Sequence, residues 1–167
     1  MTLVYHLERA PKAGPVREFL DWWAVHGPFP IVVTCGERTD KDQLEDFKKG
    51  RMKLPDGSWV ILKAEEVVTR ALRAADSAHG HVDSGADCSP VREAFPPPGG
   101  VKSIYLGNPK RELPEVAEEG KRRLTEYARL AEEHGLESGR TYPGLGDLPH
   151  ICRKDWREQP LAPGVAA

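Results

Sequence analysis

No run of apolar residues in this 167-residue chain approaches the roughly 20 that a helical bilayer span requires, so insertion into a membrane is not expected. The segment Met1 to Lys12 has neither the basic start nor the apolar core of a secretory signal. Synthesis in the cytoplasm is therefore expected, and a substrate outside the cell would be reached only after release by some other agent. An excess of positive charge is missing too. Against 26 acidic side chains stand 24 basic ones, a net charge of -2, which offers nothing to attract nucleic acid or an anionic membrane surface. Cysteine is scarce: Cys35, Cys88 and Cys152 contain no CxxC pair, which argues against a thiolate zinc finger. Free thiols in a reducing compartment are expected, with a single disulfide as the alternative. No internal repeat or low-complexity tract is present.

What remains is the composition of an ordinary globular domain, 39% hydrophobic and 30% charged. Residues 1–158 are expected to form one monomeric domain around one core, followed by a flexible tail over 159–167. Pro15 to His26 reads as a helix, with Val16, Phe19, Leu20 and Trp23 at helical spacing and Gly27 as a stop. Pro30 to Thr34 is β-branched and apolar, hence a buried strand. Thr39 or Asp40 caps a short helix through Lys49, with Leu44 and Phe47 facing inward. Strands follow at Trp59–Leu62 and Val101–Leu106, and a loop over Ala94–Gly100; Glu65–Ala75 stays ambiguous. The strongest periodicity runs from Pro114 to His134, where Val116, Gly120, Leu124, Tyr127 and Ala131 share a face and Gly135 supplies the cap. Strands and helices mix without a βαβ rhythm, which favours an α+β fold with a small antiparallel sheet flanked by helices.

Two segments concentrate metal-ligand residue types. The first runs from Ser77 through His79 and His81 to Asp87; the second is Asp147-Leu148-Pro149-His150. A catalytic zinc site takes three imidazole or carboxylate ligands and leaves a fourth position to water. Gly80, Ser84, Gly85 and Ala86 are small enough to let the first segment turn a histidine and an aspartate toward one centre. His6, His26 and His134 have no acidic or histidine partner at useful spacing and read as surface residues.

In chain order, several phrases resemble the zinc D-Ala-D-Ala carboxypeptidase and L-alanyl-D-glutamate endopeptidase family, which includes many bacteriophage endolysins and shares its zinc-site fold with the Hedgehog signalling domain. The arginine phrase is similar to Cys35-Gly36-Glu37-Arg38 with Gln43 and Gly50-Arg51; the Ser-x-His…Asp phrase to Ser77–Asp87, preceded by Val67-Val68-Thr69-Arg70-Ala71. Gly135-Leu136-Glu137-Ser138-Gly139 and Asp147-Leu148-Pro149-His150 complete the series, which covers residues 31–151. One departure stands out. The family's His-x-x-Gly-x-Ala-x-Asp is one residue shorter than His79 to Asp87 and one residue longer than His81 to Asp87. His79 is favoured as the ligand because Ser77-Ala78-His79 keeps the Ser-x-His intact, with His81 the alternative.

The resemblance implies a zinc metallopeptidase acting on peptidoglycan stem peptides, with zinc held by His79, Asp87 and His150. It also implies Asp147 as the catalytic carboxylate and Arg38 and Ser77 as substrate-facing groups. An endolysin-type L-Ala-D-Glu endopeptidase acting on the cell wall after release is expected. The alternatives are a D-Ala-D-Ala carboxypeptidase or dipeptidase, and a zinc-stabilised binding domain without turnover.

Overall fold

The computed structural model describes residues 4–63, 66–67, 71–94, 100–140 and 147–166. Among the described residues it is an α+β fold in which three α-helices accompany a six-stranded sheet and a separate hairpin. Helix α1 spans Gly14–His26, with Pro15 in its first turn and Val16, Phe19, Leu20 and Trp23 buried along one stripe. Strand β1, Val4–Tyr5, pairs with β2, Ile31–Cys35. Helix α2 covers Asp40–Lys48, entered through a capping box in which the Thr39 hydroxyl accepts the Asp42 N–H. The short strands β3, Arg51–Lys53, and β4, Trp59–Ile61, form the hairpin. Then come β5, Gly85–Ala94, β6, Val101–Ile104, helix α3, Pro114–Glu133, β7, Glu137–Gly139, and β8, Asp147–Cys152.

The sheet runs β1-β2-β5-β8-β7, with β6 also paired to β5. The expectation of an antiparallel sheet is corrected at one edge, where β1 lies parallel to β2; the remaining pairs are antiparallel. The reason is the connection: α1 carries the chain back to the starting end before β2 begins, as a crossover between parallel strands must. The core gathers Phe19, Leu20 and Trp23 of α1, Tyr127 and Ala131 of α3, Ile31 and Val33 of β2, Ala86 and Cys88 of β5 and Ile151 of β8. Trp23 is fully buried, its indole N–H donates to the Phe29 carbonyl at 2.9 Å, and its ring meets Tyr127 edge-on at 5.2 Å. Trp23→Ala removes this junction between α1 and α3 and is expected to cost about 3–5 kcal/mol, read as a lowered urea midpoint.

Side chains alternate along a strand, so the positions between these core residues point to the other face. Ala86 and Cys88 belong to the core and Asp87 does not; Ile151 belongs to it and His150 does not.

Several elements differ from expectation. In α2, Gln43 and Phe47 are buried while Leu44 is only half-buried. Gln43 is inside because both ends of its amide are used: Nε2 donates to the Ala71 carbonyl at 2.7 Å and Oε1 accepts from Arg38 at 3.4 Å. In α3, Ala117 and Ala128 are buried and Val116 is half-buried. Ala94 ends β5, while residues 95–99 of the expected loop lie outside the described residues, as do Val68, Thr69 and Arg70. Over 159–167, where a flexible tail is expected, the described residues make hydrogen bonds to the rest of the fold. Val82 N–H donates to Pro160 O, Ala162 N–H to Gly80 O and Ala166 N–H to the Asp40 carboxylate, and Ala162 is buried. Among the described residues, no helix is long and apolar enough to cross a membrane.

Candidate metal centre

Three segments meet on the sheet face opposite the helical core. Antiparallel register sets Asp87 of β5 directly across from His150 of β8. The third member, His79, sits in a single 3-10 turn, Ala78–Gly80, capped by the Ser77 hydroxyl, which accepts the His79 N–H at 3.4 Å. That turn is pressed tightly against its neighbours. A Cβ on Gly80 would lie 2.0 Å from the Ala74 carbonyl oxygen, and the Arg38 N–H donates to the His79 carbonyl at 2.7 Å.

The result is a triangle of ligand-type atoms. His79 Nε2 lies 3.0 Å from Asp87 Oδ1 and 3.1 Å from His150 Nδ1, and His150 Nδ1 lies 2.9 Å from the same Asp87 oxygen. His79 Nδ1 is 2.6 Å from the Gly36 carbonyl, an acceptor, so the ring's first proton belongs there and Nε2 turns its lone pair to the centre. Each ring nitrogen has a single in-plane site, either a proton or a lone pair. Two nitrogens can therefore satisfy at most two of the three short contacts with linear hydrogen bonds. One cation among the three atoms satisfies all of them. The donor set is also chemically apt, since two imidazoles and a carboxylate suit a borderline cation such as zinc.

The three groups are also coupled electrostatically. Burial works to raise the Asp87 pKa, yet the facing His79 and His150 rings outweigh it and hold the carboxyl well below its usual range. For His150 burial works to lower the pKa, and hydrogen bonds with Asp87 and Cys152 overcome it, raising the ring to about 10. His79 is 3% exposed and His150 6%, whereas the Asp87 side chain keeps 17%, so the centre opens to solvent along its aspartate edge.

Arg38 is committed to the same centre. Its Nη2 donates to Asp87 Oδ2 at 2.9 Å, its Nη1 to Gln43, and its Nε to Cys35 Sγ at 2.9 Å. The guanidinium thus holds the outer oxygen of Asp87 while the inner one faces the histidines. Cys35 enters through a register shift in β2 between Val33 and Cys35, which sets it opposite Asp87 and carries it out of the core alternation. Cys35, His79 and Asp87 form a group whose donor atoms all lie within 4.8 Å of one another and which could hold a metal ion. Burial and the Asp87 charge push the Cys35 thiol up, partly offset by Arg38. Sequence reasoning passed over Cys35; its place beside the Arg38 phrase was the available signal, and the β-bulge that aims it is not written in any residue type.

His81 is not brought to the centre. Its Nδ1 faces the Gln159 carbonyl at 2.8 Å and its Nε2 the Ala75 carbonyl at 3.0 Å, so neither nitrogen is offered to a cation. It clamps the 160-region against the 74–80 turns, beside the Trp156 ring. Ser77 serves the backbone of the His79 turn. Asp147 begins β8 and pairs with Gly139, while its side chain lies outside the described residues. His79→Ala is expected to lose bound metal, whereas His81→Ala is expected to keep it and to cost about 1–3 kcal/mol through the lost buried hydrogen bonding to the Gln159 and Ala75 carbonyls. Metal content and a denaturation curve for each variant check this.

No family model matches the chain, and no curated protein matches it.

Proposed function

We propose that this protein is a zinc metallopeptidase that hydrolyses peptidoglycan stem peptides, in the manner of an endolysin-type L-Ala-D-Glu endopeptidase with a Hedgehog-like zinc-peptidase fold. The observation that carries the reading is the triangle of His79 Nε2, Asp87 Oδ1 and His150 Nδ1, with the Gly36 carbonyl fixing the His79 tautomer. His79, Asp87 and His150 would hold the ion, three ligands being the number a catalytic rather than a structural zinc takes from protein. A zinc ion held there supplies Lewis acidity, polarising an amide carbonyl and bringing the pKa of water from about 16 toward about 7.

The chain's own residues supply the rest. Asp147 stands three residues before His150 on the same strand, and in this reading it takes the proton of the attacking water and passes it to the departing amine. Arg38 holds the outer oxygen of Asp87 and so orients the carboxylate. Its expected contact with a substrate carboxylate or carbonyl requires it to release Gln43 or Asp87 first. Phage lysis, with the protein released to the wall by a partner, is the setting we favour.

A second reading, a zinc-stabilised domain without turnover, is favoured by one observation: the Cys35 sulfur beside the centre, since a fourth protein ligand closes a zinc site. Incubating the zinc-loaded protein with defined peptidoglycan and weighing the released fragments separates the possibilities. New L-Ala carboxyl and D-Glu amino termini support the endopeptidase, and loss of terminal D-Ala alone supports the carboxypeptidase. Unchanged substrate with zinc bound overturns the enzyme reading.

A further inference from the structure

We infer that Cys35 is an exchangeable fourth donor to the cation held by His79, Asp87 and His150, so that the resting centre is capped by a thiolate; this rests on the metal reading proposed above. Three observations converge on it. The β2 register shift turns Cys35 toward Asp87, its pairing partner across the sheet, where a regular strand would have pointed it into the core with Val33. Its sulfur falls within 4.8 Å of the donor atoms of His79 and Asp87, which themselves lie 3.1 and 2.9 Å from His150 Nδ1. Finally, His79 is nine-tenths buried and more, with its Nδ1 spent on Gly36, so its Nε2 is aimed into a centre whose three short contacts cannot all be hydrogen bonds.

Arg38 makes the cap reversible. Its Nε donates to Cys35 Sγ at 2.9 Å while its Nη2 holds Asp87, so the sulfur has a cationic resting place on the rim of the centre as well as a place within it. On ligation the S–H bond breaks heterolytically: sulfur keeps the electron pair and donates it to the cation, and the proton passes to solvent. No oxidant or reductant is involved. When a peptide carbonyl or water takes the fourth position, the sulfur leaves with its electron pair, regains a proton from solvent and returns to Arg38. A soft donor added to two imidazoles and a carboxylate also tilts the site toward zinc and cobalt over magnesium or manganese.

Cobalt(II) titrated into the full chain is the test, because tetrahedral cobalt shows visible d–d bands and a thiolate ligand adds an intense near-ultraviolet charge-transfer band. Both are expected in the unsubstituted chain. Cys35→Ser should abolish the near-ultraviolet band and keep the visible ones, while Cys88→Ser and Cys152→Ser should keep both. Visible bands without the near-ultraviolet one in the unsubstituted chain, or a band that survives Cys35→Ser and disappears in Cys152→Ser, overturn the thiolate cap and leave the three-ligand centre standing. An absence of all bands overturns the centre itself. Should Cys35→Ser fail to fold, iodoacetamide labelling of the unsubstituted chain decides: strong protection of Cys35 by cobalt supports the cap, and equal labelling with and without cobalt overturns it.

Discussion

Asp87→Asn is expected to lose bound zinc and hydrolysis together while the sheet stays folded. The substitution is nearly isosteric, so the β5 to β8 register and the core residues on either side, Ala86 and Cys88, are untouched. What changes is charge. The carboxylate is the one anionic donor in the triangle, and it is also the partner that Arg38 grips at 2.9 Å. An amide there presents either a neutral oxygen or an N–H to the two histidines, and the second choice points a proton at the ion's place. Losing an outer partner of a metal ligand already lowers affinity by about 10–100-fold, so loss of the anionic ligand itself should exceed about 100-fold. Zinc content after dialysis and circular dichroism on the same sample check it; an Asn variant that keeps its zinc would remove Asp87 from the centre.

The second large effect belongs to Asp147→Ala, which is expected to keep zinc and to slow hydrolysis by about 10²–10⁴, the usual worth of a positioned general acid or base. Asp147 lies on β8 three residues from His150 and is not one of the three ligands in the proposed centre, so metal content should not follow it. The diagnostic is therefore the split: bound zinc unchanged, turnover nearly gone. Equal losses of both would mean that Asp147 supports the metal and not the chemistry. Retained hydrolysis would remove it from the mechanism.

Much of this arrangement could be read from residue order. The apolar stripe Val16, Phe19, Leu20 and Trp23 announced α1, and the β-branched Ile31-Val32-Val33 announced β2, because both bury by the periodicity that defines them. His79, Asp87 and His150, picked out by the order of their phrases, come together in space. What could not be read was set by neighbours. Gly85-Ala86-Asp87-Cys88-Ser89-Pro90 holds no β-branched residue and a proline, yet it is the centre of the sheet, because β2 on one side and β8 on the other impose the extended form. Gln43 is buried by two side-chain hydrogen bonds to partners 28 and 5 residues away, which its residue type does not announce. Residues 160–166 make their hydrogen bonds to the rest of the fold through their own backbone groups, which leave no trace in side-chain type.

The triangle also has a polymer consequence. His79 and His150 stand 71 residues apart in the chain, and an ion gripped by both behaves as a removable crosslink closing that loop. A permanent link over such a length would disfavour the unfolded ensemble by on the order of 4 kcal/mol in the chain-entropy relation. A chelator should then do more than silence the site: it should reopen this 71-residue loop, so that resistance to heat and to proteases tracks the free concentration of the ion.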